Sequence, residues 1–384
     1  MPEVIIRKCE SYDSALLKKT AVEIFEALGG VNAIYKKGSR VAVKVNLILG
    51  SAPETAVTTN PFLVRAFCDL LLEKGVNPFI IDSPNAAIMY NPESLKQVYA
   101  LSGYPEIFKE NKTEFNYDCS FESVSIKDGV GIKQAEILTP ILKCDGVLNL
   151  AKGKTHAFTQ VTGATKNLFG CIAGMYKGAY HTKLQNVANF SKMLVDIAVF
   201  IKPALSVIDA VTCMEGNGPS GGEPREVGYI IASKDTFHAD SVFCSLIGLA
   251  PEAYPVLIEA AGRGIFKKEE LKLNGSYEKV KGFKLADTAA STIDGFVGIN
   301  FKTRIFRALA KQLFTVRPVM NSKCIGCAAC AKACPVKAID IVNKKAIIRK
   351  KDCIRCYCCH EVCPHRAVDL KKNLLFRMRE KIIK

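Results

Sequence analysis

Two cysteine runs near the carboxyl end of the chain constrain its structure more than any other feature. Nine cysteines lie within residues 324–363, and eight of them repeat the spacing C-x2-C-x2-C-x3-C-P. This is the pattern of bacterial proteins with two [4Fe-4S] clusters, where the fourth thiolate of each run reaches across to the other cluster. A zinc site would favour two C-x-x-C pairs instead. We assign Cys324, Cys327, Cys330 and Cys363 to one cluster, and Cys353, Cys356, Cys359 and Cys334 to the other, with Cys358 as a non-ligand.

Charge divides the chain close to the same place. The 384 residues carry a formal net charge of +16, and residues 298–384 account for all of it, with 21 Lys and Arg against 5 Asp and Glu. Phe301, Ile305, Leu309 and Leu313 form an apolar stripe at helical spacing between basic residues. We predict a large domain over 1–297, a basic amphipathic linker helix over 298–318, a two-cluster ferredoxin domain over 319–372 and a basic tail over 373–384.

The large domain has the alternating strand and helix pattern of an α/β fold. A buried strand begins at Arg40, and a helix opens with Asn60 as N-cap and Pro61 at its first position. Gly75 ends that helix before a strand over 78–82. Further strands are predicted over 145–150, 205–209 and 227–232, and helices over 162–175, 190–200, 237–249 and 251–262. This order predicts a mainly parallel, doubly wound sheet, followed by a small α+β ferredoxin-like domain.

Polar residues follow the predicted strand ends, where open α/β sheets bind ligands. Four lysines and two of the five histidines fall within residues 152–181, next to a predicted helix N-terminus that would attract an anion. We predict catalytic roles for Lys154, His156, Lys166 and His181, and substrate or cofactor binding by Lys44, Asn46, Asn167, Asp209, Glu215 and Asn217. The alternatives are solvated loop residues, metal coordination by the histidines or carboxylates, and a purely structural hairpin loop after Asp209.

The large domain resembles a family known as domain of unknown function 362. The segments that carry the resemblance are Lys44–Asn46, Lys154–His156, Thr162–Gly170, Asp209–Val211 and Glu215–Pro219, within coverage of about residues 35–250. Fusion to a two-cluster ferredoxin domain is a common arrangement in that family, so the resemblance implies this architecture and no particular reaction.

A looser similarity is to the lactate racemase family that uses a nickel-pincer nucleotide, whose members also place His and Lys in Gly-rich loops of an α/β domain. The parallel residues here are His156, Lys166 and His181. A racemase would have no need of two iron–sulfur clusters, which is where this chain departs from that family.

Three functions compete on these observations. The favoured one is an iron–sulfur oxidoreductase that passes electrons through two [4Fe-4S] clusters to an anionic substrate, or to a further small-molecule cofactor, in the α/β domain. The second is a binding or maturation factor that uses the clusters for electron delivery. The third is a non-redox, racemase-like enzyme with an appended cluster domain.

The basic cluster module indicates which partners to expect. A docking face for an acidic electron carrier of the ferredoxin or flavodoxin type is favoured over a merely solvated surface and over contact with a membrane surface. Nucleic acid is not expected, because no nucleic-acid motif accompanies the basic residues. The chain has no apolar run long enough to span a bilayer and does not begin like a secretory signal, so we expect a cytoplasmic protein.

Overall fold

The computed structural model describes residues 3–85, 88–287 and 316–372. The strands are β1 Glu3–Lys8, β2 Arg40–Lys44, β3 Asn77–Ile81, β4 Glu114–Phe115, β5 Phe121–Ser125, β6 Gln134–Leu138, β7 Gly146–His156, β8 Gln160–Thr162, β9 Leu205–Glu215, β10 Glu223–Ser233, β11 Lys272–Asn274, β12 Val316–Met320, β13 Ile339–Val342, β14 Lys345–Ile348 and β15 Val368–Lys372. The α-helices are α1 Ser14–Ala27, α2 Pro61–Glu73, α3 Pro92–Leu101, α4 Tyr104–Ile107, α5 Thr139–Leu142, α6 Ala164–Asn167, α7 Gly174–Lys183, α8 Val187–Ile201, α9 Thr236–Leu246, α10 Pro255–Gly262, α11 Ala329–Ala333 and α12 Cys358–Glu361.

The large domain is built on one mixed sheet with the order β11-β1-β10-β9-β7-β2-β3-β4, and β8 pairs with β7. From β4 to β9 all neighbours are parallel, whereas β10 is antiparallel to both β9 and β1. Apolar side chains pack against the sheet in two separate clusters, one with α1, α2 and α3 and the other with α8, α9 and α10. The fold is therefore the predicted mainly parallel α/β sheet covered on both faces.

Local sequence signals predicted several elements well. The Asn60 side chain accepts a hydrogen bond from the Phe62 amide, Pro61 is the first residue of α2, and Gly75 follows the helix with φ of 74°. Helices α8 and α9 also lie where they were predicted. In the predicted helix over 251–262, a 3-10 turn at Pro251–Ala253 comes first and α10 begins only at Pro255.

The predicted helix over 162–175 is wrong. This segment ends β8, forms the single turn α6, continues as a 3-10 turn over Leu168–Cys171 and starts again as α7. Ile172 has an extended backbone and forms an isolated bridge with Ile137, which interrupts the helix. The strands on either side are longer than predicted, because β7 runs to His156 and pairs back with β8, and β9 runs to Glu215.

The carboxyl-terminal unit has two short antiparallel pairs, β12 with β15 and β13 with β14. Residues 298–315 of the predicted linker helix lie outside the described residues, as does the predicted tail over 373–384. The last three residues of the predicted linker helix, 316–318, belong to β12 instead of a helix, because their backbone pairs with β15. In the described part of the chain, no helix has both the length and the apolarity needed to cross a bilayer.

Candidate functional site between the two domains

The eight predicted cluster ligands line two cavities of the carboxyl-terminal unit. Cys324, Cys327, Cys330 and Cys363 line one cavity. Cys334, Cys353, Cys356 and Cys359 line the other, together with Cys358. The grouping is the one that the crossover spacing predicts, with the fourth cysteine of each run in the cavity of the other run.

The backbone around both cavities is arranged to hold thiolates. The amides of Ala346, Ala338 and Ala367 donate to the Sγ atoms of Cys324, Cys334 and Cys363 at 3.3, 3.2 and 3.1 Å. Such N–H···S contacts stabilise negative charge on a ligand and tune the potential of a cluster. The donor sets and their amides therefore fit two [4Fe-4S] cubes. Across residues 3–85, 88–287 and 316–372, no three His, Cys, Asp or Glu side chains converge as a single metal ion requires.

The carboxyl-terminal unit over residues 316–372, from here on the ferredoxin unit, contacts the loop between β9 and β10. The Ser220 hydroxyl donates to the carbonyls of Glu361 and His360 at 2.7 and 3.3 Å. The Nε2 of His360 lies 2.7 Å from the carbonyl oxygen of Asn217, and its Nδ1 lies 2.7 Å from that of Val368. The Gly-rich loop that followed Asp209 in the sequence is thus a hairpin that holds the second domain.

A third cavity, partly open to solvent, lies between the two domains at the carboxyl ends of β2, β3 and β7. All four predicted catalytic residues line it, along with Asn46 and Asn167 from the predicted binding set. The large domain contributes further Asp82, Ser83, Thr162, Phe169 and Lys177, and the ferredoxin unit contributes Ala333, Cys358 and Glu361. Ala333 precedes Cys334 and Cys358 precedes Cys359, so this cavity adjoins the cluster site of the Cys353 run.

Three lysines give the cavity its positive character. The Lys154 Nζ donates to Asn46 Oδ1 at 2.6 Å and to the Val57 carbonyl at 2.5 Å, and burial followed by repulsion from Lys166 lowers its pKa well below the usual range. Burial lowers the pKa of Lys177 to about 7. Burial also lowers the pKa of Lys166, whose described contacts include the face of Phe169 at 5.9 Å but no carboxylate salt bridge.

The two histidines of the cavity are neutral near pH 7. Burial first, and repulsion from Lys166 next, lower the pKa of His156 to about 3. Its Nδ1 accepts from the amides of Phe158 and Thr159 at 3.0 and 3.3 Å, so the proton of the neutral ring is on Nε2. Burial lowers the pKa of His181 to about 4, and this ring stacks on Phe190 with centroids 4.7 Å apart.

Glu361 brings a carboxylate into the cavity from the ferredoxin side. Its Oε1 lies 3.2 Å from His156 Nε2, yet neither atom has a hydrogen-bond partner among the described residues. Burial alone would raise the pKa of Glu361, but the positive charges around it hold the pKa below its usual range. Because His156 is neutral, Lys166 is the cation that we hold responsible.

Buried polar atoms without partners concentrate around this cavity. Among the described residues, His156 Nε2, His181 Nδ1, Glu361 Oε1, Ser83 Oγ and Thr162 Oγ1 all lack a hydrogen bond and all belong to lining residues. Buried polar groups are normally satisfied, so a group of unsatisfied ones around one cavity indicates a ligand site.

Four of the predicted binding residues lie elsewhere. Lys44 is buried beneath the cavity in a 2.8 Å ion pair with Asp82. Asp209 is buried in a 2.9 Å ion pair with Lys152. Glu215 accepts from the Lys284 amide at 3.0 Å, and Asn217 exchanges hydrogen bonds with Asp287. Since each carboxylate already serves a cation or an amide, these residues support the structure rather than face the cavity.

The predicted anion site at a helix N-terminus is also wrong. The carboxylate of Asp240 already accepts from the Ala164 and Thr165 amides, at 2.6 and 3.1 Å, at the start of α6. A Cβ at position 163 would collide with this carboxylate, so Gly163 is required there. Asp240 thereby fixes the turn that carries Lys166 into the cavity.

Sequence reasoning missed Asp82, Cys358 and Glu361 as neighbours of the site. Asp82 follows β3, so the strand-end rule that selected Lys44 and Asn46 could have found it. Glu361 and Cys358 lie inside the second cysteine run and look like ferredoxin residues until the packing of the two domains is known.

Comparison with known proteins agrees with this architecture. Residues 41–245, more than half of the chain, match the family described as Domain of unknown function (DUF362). The chain belongs to this family. Residues 323–367 match the 4Fe-4S dicluster domain, so the carboxyl-terminal unit is an iron–sulfur domain.

Two individual proteins are similar to this member of the family. A thylakoid-associated protein of Synechocystis sp. is 34% identical over 259 residues, which cover 66% of this chain and 77% of that protein. The lactate racemase apoprotein from Thermoanaerobacterium thermosaccharolyticum aligns in structure with a TM-score of 0.41 and 14% identity, over 63% of this chain and 56% of the racemase. A likeness this weak carries no argument about activity.

Proposed function

We propose that the chain is an iron–sulfur oxidoreductase that exchanges electrons with an anionic small molecule bound in the interdomain cavity. One observation carries the proposal: three lysines of the α/β domain and two residues adjacent to cluster-ligating cysteines line the same cavity. A ligand held by the lysines would lie next to a redox centre, as electron transfer requires.

The lysines would supply the binding energy for the anion. Lys166 has no carboxylate salt bridge among the described residues, and Lys154 is engaged only by neutral acceptors. Buried cations without counterions are costly, and an anionic ligand removes that cost. Asn46 and Asn167 hold the floor of the cavity in place through a 3.1 Å hydrogen bond from Asn46 Nδ2 to Asn167 Oδ1.

The two histidines would donate hydrogen bonds and protons to the bound anion. The Nε2–H of His156 can donate a hydrogen bond to a bound oxygen. Reduction makes a bound anion more basic, so the reaction also needs a nearby proton donor. The Nδ1 of His181 has no partner among the described residues, and a bound anion would raise the pKa of this ring by offsetting the lysine charges.

The eight cysteines of the two cavities would hold the [4Fe-4S] clusters. Such clusters supply one-electron transfer, and two of them can support a stepwise two-electron change. The polypeptide contributes the positions of these groups. It places the cysteine thiolates in the ferredoxin unit and the lysine ammonium groups on the α/β side of the interdomain cavity.

The test is anaerobic oxidation of reduced methyl viologen by a panel of small anions that carry both a carboxylate or phosphate and a reducible carbonyl or activated double bond, catalysed by the full chain containing about eight irons. We expect one class of anion to oxidise the dye, and we expect Lys166→Met to lower kcat/KM for this anion by about tenfold or more. Lys112→Met is the matched control, because Lys112 is exposed on the surface of the same domain. If anions bind but none oxidises the dye, the chain is a binding or maturation factor instead.

A further inference from the structure

The two cluster cavities face different surroundings. The cavity of the Cys353 run is next to Cys358, which also lines the interdomain cavity. The cavity of the Cys324 run shares no lining residue with the interdomain cavity, and Cys327 on its rim is exposed. Of the eight assigned ligands, Cys327 alone is exposed, whereas the others are buried or half-buried.

The surface around Cys327 is formed by two segments that pack closely. Gly326 has φ of 73°, and a Cβ there would lie 2.6 Å from the backbone of Lys344. The Ala346 amide donates to Cys324 Sγ at 3.3 Å. The loop of the first cysteine run and the turn of the β13–β14 hairpin therefore form one continuous surface.

This surface is basic with an apolar part. Residues 321–332 and 341–348 contain four lysines and no Asp or Glu. Ile325 is 58% exposed, and Val342 and Ile347 on the outer side of the hairpin are 47% and 50% exposed. We name Lys323, Ile325, Cys327, Lys344 and Lys345, all exposed, the carrier face.

We propose that an acidic electron-carrier protein docks on the carrier face and delivers electrons at the Cys324 site, an inference that rests on the proposed redox function. The carrier loses one electron and the cluster held by Cys324, Cys327, Cys330 and Cys363 gains it, with no bond made or broken and no proton moved. Electrons would reach the substrate through the site of the Cys353 run, which shares Cys358 with the interdomain cavity.

Charge complementarity selects a protein of this chemistry. Lysines without intervening carboxylates attract an acidic partner and speed its encounter, while a few exposed aliphatic side chains give a small contact that separates easily. Weak electron-transfer complexes have small interfaces of this kind. Cys327, an exposed cluster ligand on this face, gives such a partner direct access to a cluster.

The test measures binding between the oxidised holoprotein and an oxidised acidic two-[4Fe-4S] ferredoxin by calorimetry at low salt and at high salt, with no substrate present. The paired variant Lys344→Glu/Lys345→Glu should weaken binding by about tenfold or more, and the effect should shrink at high salt. The matched control Lys109→Glu/Lys112→Glu makes the same charge change at exposed positions of the α/β domain and should change affinity less than twofold. Lys323→Glu is a second variant outside the hairpin, and iron content verifies that each variant keeps its clusters.

A second measurement separates docking from chemistry. Stopped-flow reduction of the clusters by the reduced ferredoxin should slow in the face variants, whereas reduction by dithionite should not. Equal effects of the face and control variants would overturn the proposal, and so would binding to anionic vesicles through these lysines without binding to the ferredoxin. The methyl viologen assay needs no carrier, so a failure here leaves the proposed function standing, and a failure there leaves docking measurable.

Discussion

Lys152 and Lys154 lie two residues apart on β7, are both fully buried, and have opposite surroundings. Lys152 Nζ is 2.9 Å from Asp209 and 2.7 Å from the Tyr12 hydroxyl, which itself donates to Asp209 at 2.8 Å. Lys154 faces the interdomain cavity, where its described partners are neutral oxygens and its strongest charged neighbour is another lysine.

The difference separates structural lysines from ligand-facing ones. A buried cation is tolerated where the fold supplies its counterion, as at Lys152, and is costly where it does not. Lys44 with Asp82 belongs to the first kind, while Lys154, Lys166 and Lys177 belong to the second. A cluster of the second kind is the feature on which we base the proposed anionic ligand.

The largest expected effect comes from removing a structural counterion. Asp209→Asn leaves Lys152 charged and buried, so it should lower the free energy of unfolding by about 3–5 kcal/mol. Anaerobic denaturation of the iron-loaded protein measures this loss. Lys166→Met is the matched comparison and should destabilise the chain less, because Lys166 forms no salt bridge among the described residues and interacts with the Glu361 carboxylate only at longer range. Equal losses in the two variants would remove the distinction between the two kinds of lysine.

The next effect concerns the ligand-facing group. Lys166→Met should weaken binding of the anion that oxidises methyl viologen by about 1.5–3 kcal/mol, the usual worth of a hydrogen bond to a charged group. Calorimetric titration of the oxidised protein measures the affinity, with Lys112→Met as the control. Unchanged affinity in Lys166→Met would place the anion elsewhere.

A pH effect is expected at Lys177. Burial lowers its pKa from 10.5 to about 7, so between these values the unfolded chain binds a proton that the folded chain does not. Stability should therefore rise with pH from about 7 to about 10, and this rise should be smaller in Lys177→Met. Denaturation midpoints of both proteins at pH 6, 7.5 and 9 give the comparison. Parallel pH profiles would show that Lys177 titrates normally.

The smallest effect concerns the contact between the ferredoxin unit and the loop that joins β9 to β10. Ser220→Ala removes hydroxyl contacts with the carbonyls of Glu361 and His360, which should cost about 1 kcal/mol. Hydrogen exchange of the amides around Glu361 reports this loosening, and Ser11→Ala, at an exposed position between β1 and α1, is the control. Protection that stays the same would mean that other contacts alone hold the two domains together.

Sequence patterns predicted the features that depend on neighbouring residues. The crossover grouping of the cysteines follows from their spacing, and the start of α2 follows from Asn60 and Pro61. Strand ends were predicted less well. Lys152 and Lys154 suggested a loop because lysines are seldom fully buried, yet β7 continues through both of them.

Features that depend on distant partners could not be predicted. Asp209 and Glu215 looked like ligand-binding carboxylates because their partners, Lys152 and the Lys284 amide, come from other parts of the chain. Glu361 could not be assigned to the cavity, since nothing local shows that the second cysteine run packs over β7. Lys154, His156, Lys166 and His181 do come together, and their catalytic roles stay a prediction.

The most direct test of the central claim is the electron paramagnetic resonance spectrum of the dithionite-reduced protein, recorded with and without a mixture of small carboxylates and phosphates. The proposed anion in the interdomain cavity would lie next to one cluster site and within reach of Lys166. We therefore expect the anions to shift one cluster signal in the native chain and to leave the Lys166→Met spectrum unchanged. No shift in the native chain, or the same shift in both proteins, would contradict the placement of an anion site beside the cluster.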